Sequence, residues 1–285
     1  GLAAGRHRGP RRARRGGPRP GSLDLDRLHR PHQRPIRRSR RAPINDHARR
    51  RLNRLKPQRH PQRSSRRGTT GSRYGPSAII QASRHLEDYD LELNTDISSI
   101  GIYTTPEISP NLSSPKALIQ QVRRAVISSL SSDQLLVLLG GEHSISIGGV
   151  QAMTEMHSDL SVLYLDAHSD LRDDYMGTQW GHASTARRIY DLCPMVQVGV
   201  RSLSEKEYKF IEEVDLPVYF WNGDPPNITQ LAKKILPKLS KNVYISIDLD
   251  VLDVSLMSAV GTPEPGGITW IEILCLLKTI ASERQ

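Results

Sequence analysis

Val162-Leu163-Tyr164-Leu165-Asp166-Ala167-His168-Ser169-Asp170 is the stretch from which the fold is read. Four apolar residues predict a short strand, and Asp166, His168 and Asp170 follow at alternate positions. Alternate side chains of an extended chain point to the same side. Two carboxylates and an imidazole therefore converge where the strand runs out. Val243-Tyr244-Ile245-Ser246-Ile247 repeats the pattern, with Asp248, Asp250 and Asp253 after it. A third apolar run, 135–139, predicts a strand ending in Gly140-Gly141-Glu142-His143. In open parallel α/β sheets the carboxyl ends of the strands are where ligands bind.

An isolated Asp-x-His-x-Asp is more often a solvated turn than a site. The second acidic turn and His143 change that reading, because they bring six candidate ligands to one sheet edge: His143, Asp166, His168, Asp170, Asp248 and Asp250. Carboxylates packed this closely cannot all stay ionised without cations. An oxygen-rich set with two imidazoles and no thiolate suits Mn²⁺ or a similar ion better than structural zinc. Carboxylates shared between two ions would hold them about 3.5–4 Å apart, with one water between them. Each ion lowers the pKa of that water, so the expected chemistry is hydrolysis at an electrophilic carbon or phosphorus.

Further residues carry two readings each. His182 opens a predicted helix; it is either an ordinary helix-start residue or a proton shuttle for a leaving amine. Glu264, between two prolines in Gly261-Thr262-Pro263-Glu264-Pro265-Gly266-Gly267, is either a turn carboxylate or a bidentate receiver of a planar cation such as guanidinium. Glu142 and Asp253 read as groups that orient ligands or stabilise turns.

The chain has 285 residues, room for one large α/β domain or two small ones. Its charge is uneven. Residues 1–67 hold 22 Arg and one Lys against three Asp, a net of +20 in a chain whose total is +10, so 68–285 carries −10. That first segment lacks apolar periodicity, and disorder is the expectation for it. Three origins compete: a nucleic-acid-binding arm, a transit peptide broken by Pro and Gly, and sequence that is not native coding. The third ranks first, because the switch in composition near Gly68 is abrupt, and nucleic acid is not an expected partner. Cys193 and Cys275 read as small core residues in a reducing compartment. No apolar run reaches the ~18 residues of a membrane span.

From Gly68 onward the pattern alternates. Helices are expected from Ser77, after Ser114-Pro115, over 145–157, 182–191, from Ser204, over 227–239 and 269–282. Strands are expected at 135–139, 162–166, 195–200, 218–221 and 243–247. Such alternation implies right-handed crossovers and a mainly parallel sheet covered on both faces.

Four motifs, Gly140-Gly141-Glu142-His143-Ser144, Asp166-Ala167-His168-Ser169-Asp170, Ser246-Ile247-Asp248-Leu249-Asp250-Val251-Leu252-Asp253 and the 261–267 loop, occur in the order that resembles the ureohydrolases, arginase, agmatinase and relatives. The resemblance runs from Gly68 to Gln285. It implies a three-layer α/β/α fold and a binuclear Mn²⁺ site, with His143, Asp166, Asp170 and Asp248 as ligands of one or both ions and His168 and Asp250 as the remaining ligands. It further implies that Asp170 hydrogen-bonds a bridging hydroxide, that His182 relays a proton and that Glu264 binds the guanidinium. Hydroxide attack on the guanidinium carbon would then release urea and an amine.

Arg172-Asp173-Asp174-Tyr175 looks more like agmatinases, and Met176-Gly177-Thr178-Gln179-Trp180-Gly181 departs from the Ser-Gly-Asn-type stretch of arginases. Agmatine is therefore the expected substrate, in a cytoplasmic homo-oligomer serving polyamine biosynthesis; arginase, guanidinobutyrase and an inactive relative are the alternatives. Compared with that family the chain is expected to lack a first and a last strand, and Val254 stands where the family usually has Pro.

Overall fold

A computed structural model of the protein describes residues 71–130, 134–223 and 226–284, all within the unit His60–Gln285. The basic segment 1–67 lies outside the described residues. Among the described residues the centre is a parallel sheet of order β5-β4-β3-β6, with β3 at Leu160–Leu165, β4 at Met195–Val198, β5 at Val218–Tyr219 and β6 at Asn242–Ile247. Leu163 pairs with Val196 on one side and Ile245 on the other, so β3 has neighbours on both edges. All six of its residues are buried, as a parallel strand under helices on both faces demands.

The two faces separate by alternation. Leu163, Leu165, Val196 and Val198 pack on α6 (Ile228–Ile235) and α7 (Trp270–Glu283) through Leu231, Ile235, Leu276 and Ile280. Val162, Tyr164 and Met195 face the other way. They meet Ile119 of α2 (Pro115–Ser129), Ile147 and Val150 of α3 (Ile145–Met156), Ile189 of α4 (Thr185–Tyr190) and Ile211 of α5 (Glu205–Glu213). The result is the expected α/β/α arrangement. α1 (Gly75–Ser83) and a small antiparallel hairpin, β1 Tyr89–Asp90 with β2 Thr95–Asp96, precede these layers in the chain.

Local chemistry explains where the helices begin. Ser114 accepts from Ala117 N–H and Pro115 fills the first turn of α2. Ser204 with Glu207, and Thr269 with Glu272, form reciprocal capping boxes on α5 and α7. α2 and α3 approach closely at Gly148, where a Cβ would lie 2.5 Å from the Ile119 carbonyl oxygen.

One expectation fails. Residues 135–139 form no strand, and Leu135 is 93% exposed. An apolar β-prone run becomes a strand only when its backbone groups find a partner. Among the described residues nothing pairs with this run, and the outer side of β6 is unpaired, with Ile245 and Ile247 exposed. His143 is thus delivered by the turn that opens α3, not by a strand end.

Candidate active site

The site is built where β3 and β6 end. Just past β3, Ala167 O accepts from the N–H groups of Arg201 and Ser202, and His168 bridges to Ser202, so the turn carrying three candidate ligands is held by β4's extension. His168 N–H donates to Asp166 Oδ1 at 2.7 Å. Ala167 N–H donates to Asp250 Oδ1 at 3.2 Å, joining the two acidic turns. Asp248 caps the short 3₁₀ turn Leu249–Val251, which buries Asp250.

Two clusters result. The ligand atoms of His143, Asp166 and Asp170 lie within 4.8 Å of one another, as do those of Asp166, His168 and Asp250. Asp166 belongs to both. His143 Nδ1 stands 2.9 Å from Asp166 Oδ2, 3.3 Å from Asp248 Oδ2 and 3.5 Å from Asp170 Oδ2. His168 Nδ1 stands 3.1 Å from Asp250 Oδ2 and 3.5 Å from Asp166 Oδ1. The structure therefore brings all six expected ligands together.

Electrostatics make the same point. Burial raises the pKa of Asp166, and burial together with the Asp166 charge raises that of Asp170 to about 7. Burial opposes charge on both histidines, but the surrounding carboxylates outweigh it. They hold His143 well above the usual imidazole range and His168 at about 11. Such a set demands positive charge. Asp166 Oδ2 is buried and accepts no hydrogen bond; its 2.9 Å approach to His143 Nδ1 lacks the alignment of one. An orphaned anionic oxygen, converging with imidazole nitrogen and further carboxylates, fits a pair of divalent cations better than any protein donor present.

Around the clusters, His143 Nε2 lies 2.9 Å from Ser246 Oγ, which fixes the ring. The Tyr164 hydroxyl donates to Asp170 Oδ2 at 2.8 Å and lies 3.0 Å from His143 Nδ1, with the two rings stacked. Glu264 reaches the second cluster, its Oε1 3.5 Å from His168 Nε2. His182 sits at the rim, its side chain 49% exposed, with its N–H donating to Glu142 Oε1 at 2.9 Å and Nδ1 at 3.3 Å from the same oxygen. That contact with Glu142 is the main reason the His182 pKa is raised. Tyr175 stands edge-on to His182. It begins a tight turn in which Tyr175 and Thr178 exchange backbone hydrogen bonds, with Met176 and Gly177 at positive φ.

Three residues escaped the sequence reading. Tyr164 lies two before Asp166 and therefore points to the same side, yet as part of an apolar run it read as core. Arg201 read only as the end of a strand; its guanidinium donates to the carbonyls of Gly199, Asp250, Val251, Leu252, Glu264 and Pro265. Glu207 read only as part of a helix start.

Neighbouring cation sites that share a carboxylate suit hydrolysis by a polarised water, and metallohydrolases are the class to which this sheet edge points. Comparison with known proteins agrees. The arginase-family model matches residues 60–285, and the chain belongs to the arginase family. It is a ureohydrolase, a hydrolase of amidino groups. It is 32% identical over 222 residues to the N(1)-aminopropylagmatine ureohydrolase of Synechocystis, spanning 75% of this chain and 72% of the relative. It is 32% identical over 216 residues to the agmatinase of Bacillus cereus, spanning 74% of this chain and 73% of that protein. The agmatine ureohydrolase of Thermoplasma volcanium superposes with a TM-score of 0.67 at 30% identity, over 75% of this chain and 73% of that one.

Proposed function

We propose that the protein hydrolyses agmatine to putrescine and urea with two Mn²⁺ ions held by His143, Asp166, Asp170, Asp248, His168 and Asp250. The observation that carries this is the pair of clusters sharing Asp166, with Glu264 beside one of them and His182 at the rim. When bound, the two ions supply hydroxide near neutral pH by lowering the pKa of a shared water. Every other step falls to the chain's own groups.

Glu264 offers two oxygens to a planar guanidinium, a fork-to-fork fit that both binds and orients it. Asp170 would accept a hydrogen bond from the nucleophile that the ions supply and so orient it, while the Tyr164 hydroxyl, donating to Asp170 Oδ2, holds that carboxylate in place. His182, whose imidazolium is favoured by Glu142, gives its proton to the departing amine. Asp173 and Asp174 expose carboxylates on the loop that precedes His182, Asp173 pairing with Arg188 and Asp174 standing outward. They suit a substrate whose far end is an amine and not a carboxylate. The same chemistry accepts an aminopropyl-extended amine, the substrate named for the Synechocystis relative, so that compound belongs in any test. A cytoplasmic homo-oligomer is part of the same proposal; among the described residues no helix is long and apolar enough to cross a membrane.

The test is urea release from agmatine, aminopropylagmatine, arginine and 4-guanidinobutyrate, with chelator-stripped protein and after adding Mn²⁺. Mn²⁺-dependent urea, fastest with an amine-tailed substrate, is expected. Faster turnover of arginine or of the guanidino acid would overturn the substrate assignment. No urea from any of them, from protein shown to hold metal, would overturn the activity itself.

A further inference from the structure

Glu207 is 5% exposed, and its two carboxylate oxygens have separate duties. Oε2 closes the capping box of α5, accepting from Ser204 N–H at 2.8 Å and Ser204 Oγ at 2.6 Å. A cap requires no more than that. Oε1 reaches across 36 to 38 residues of chain to the ligand turn, accepting from Ser169 Oγ at 2.7 Å and Leu171 N–H at 3.1 Å. These two donors flank Asp170. Asp170 itself stands at φ +51°, a conformation that a side chain other than glycine holds only when its surroundings impose it. Two further bonds complete the frame: Gln197 Nε2 donates to Ser169 O at 2.8 Å, and Arg187 N–H donates to Asp170 O at 3.1 Å. Burial opposes the charge on Glu207, but bonds from Ser204 and Ser169 hold its pKa below the usual carboxylate range. It is a fixed anion built into the base of the site.

We propose that Glu207 is a positioning residue: by gripping the residues on both sides of Asp170 it holds that backbone in its left-handed conformation and keeps the Asp170 carboxylate in register with His143. This rests on the reading of the two clusters as cation sites. The consequence is selective. The cluster of His143, Asp166 and Asp170 depends on Glu207, whereas the cluster of Asp166, His168 and Asp250 is fixed by the 166–168 and 248–250 turns and does not.

The test compares Mn²⁺ titrations by calorimetry on full-length wild type, Glu207→Gln and Ser204→Ala. Glutamine has one acceptor oxygen and cannot serve both sets of donors. Glu207→Gln is expected to weaken one of two sites by ~10–100-fold, the usual effect of losing a group that orients a ligand. The other site should move by no more than about twofold. Amide exchange at Leu171 should accelerate in the same variant without metal. Ser204→Ala removes the helix cap and leaves the Ser169 and Leu171 contacts; it should lower the Tm and leave both affinities in place. Two wild-type affinities in Glu207→Gln would overturn the proposal, and so would equal loss in Ser204→Ala. If Glu207→Gln does not fold, Ser169→Ala removes one of the two grips and should weaken the same site; an unchanged site there also overturns it. A wild type that binds two ions but releases no urea sinks the proposed reaction alone, since the affinities still judge Glu207. A wild type that binds none sinks both.

Discussion

Asp253 shows how one exposed carboxylate shapes a loop. It accepts from Ser255 Oγ and N–H and from the N–H groups of Gly266 and Gly267, so it pins both ends of the segment that carries Glu264. These bonds, that of the Ser255 side chain first, lower its pKa from the ordinary 3.8 to about 2. A carboxyl depressed in the folded state stabilises above its unfolded value and loses that contribution as the pH falls through its folded value. The loop is therefore expected to be fully tied above about pH 4 and to loosen toward pH 2. Amide exchange at Gly266 and Gly267, followed against pH, checks this; protection unchanged down to pH 2 would refute it. At this scale the sequence was most informative for groups that act where they stand. The six candidate ligands follow apolar runs at short, regular spacings. Glu207 and Arg201 act on residues dozens of positions away, and no local pattern announces such a contact.

Between elements, Arg201 is the principal tie. It sits just past β4 and gathers carbonyls from two segments, 250–252 and 264–265. One segment holds Asp250, a candidate ligand, and the other holds Glu264. Arg201→Met would leave these carbonyls without their donor. Charged hydrogen bonds contribute ~1.5–3 kcal/mol each and do not add in full, so an overall loss of about 3 kcal/mol in urea unfolding is expected. With Glu264 as the proposed guanidinium receiver, the KM for the guanidino substrate should rise at the same time, because its loop is released. Arg201→Lys keeps the charge but not the planar fork and should recover less than half of the loss. Stability within about 0.5 kcal/mol of wild type in Arg201→Met, the range of an ordinary surface change, would contradict this. Helices were the more legible elements because their signals are local: Ser114-Pro115 and the capping pairs on α5 and α7 name their own boundaries. The run 135–139 misled because a strand is a property of two segments, and only one was in view.

For the molecule as a whole, the α/β/α layering was legible because apolar runs alternate with helix-period stretches over more than a hundred residues, and one good register excludes most others. What did not follow was that the run 135–139 stays out of the sheet. Among the described residues β6 presents an unpaired side with Ile245 and Ile247 exposed, and Leu135 and Val137 of the run that stays outside the sheet are more exposed still. Unpaired apolar edges template association. Concentration-dependent self-association is expected in sedimentation velocity. Ile245→Lys, which places a charge on that edge, should reduce it; identical profiles for both proteins would refute the link to this edge. The turn at Tyr175–Thr178 has a different consequence. It is closed by its own backbone hydrogen bonds, whereas the segments bearing Asp250 and Glu264 are fastened to each other through Arg201. Anyone refashioning the enzyme for a new guanidino compound thus meets a natural division of labour: the turn 175–178 can be exchanged for that of a relative provided Asp173 keeps Arg188 and Trp180 keeps its packing, and the floor fastened by Arg201 must travel as one inseparable block.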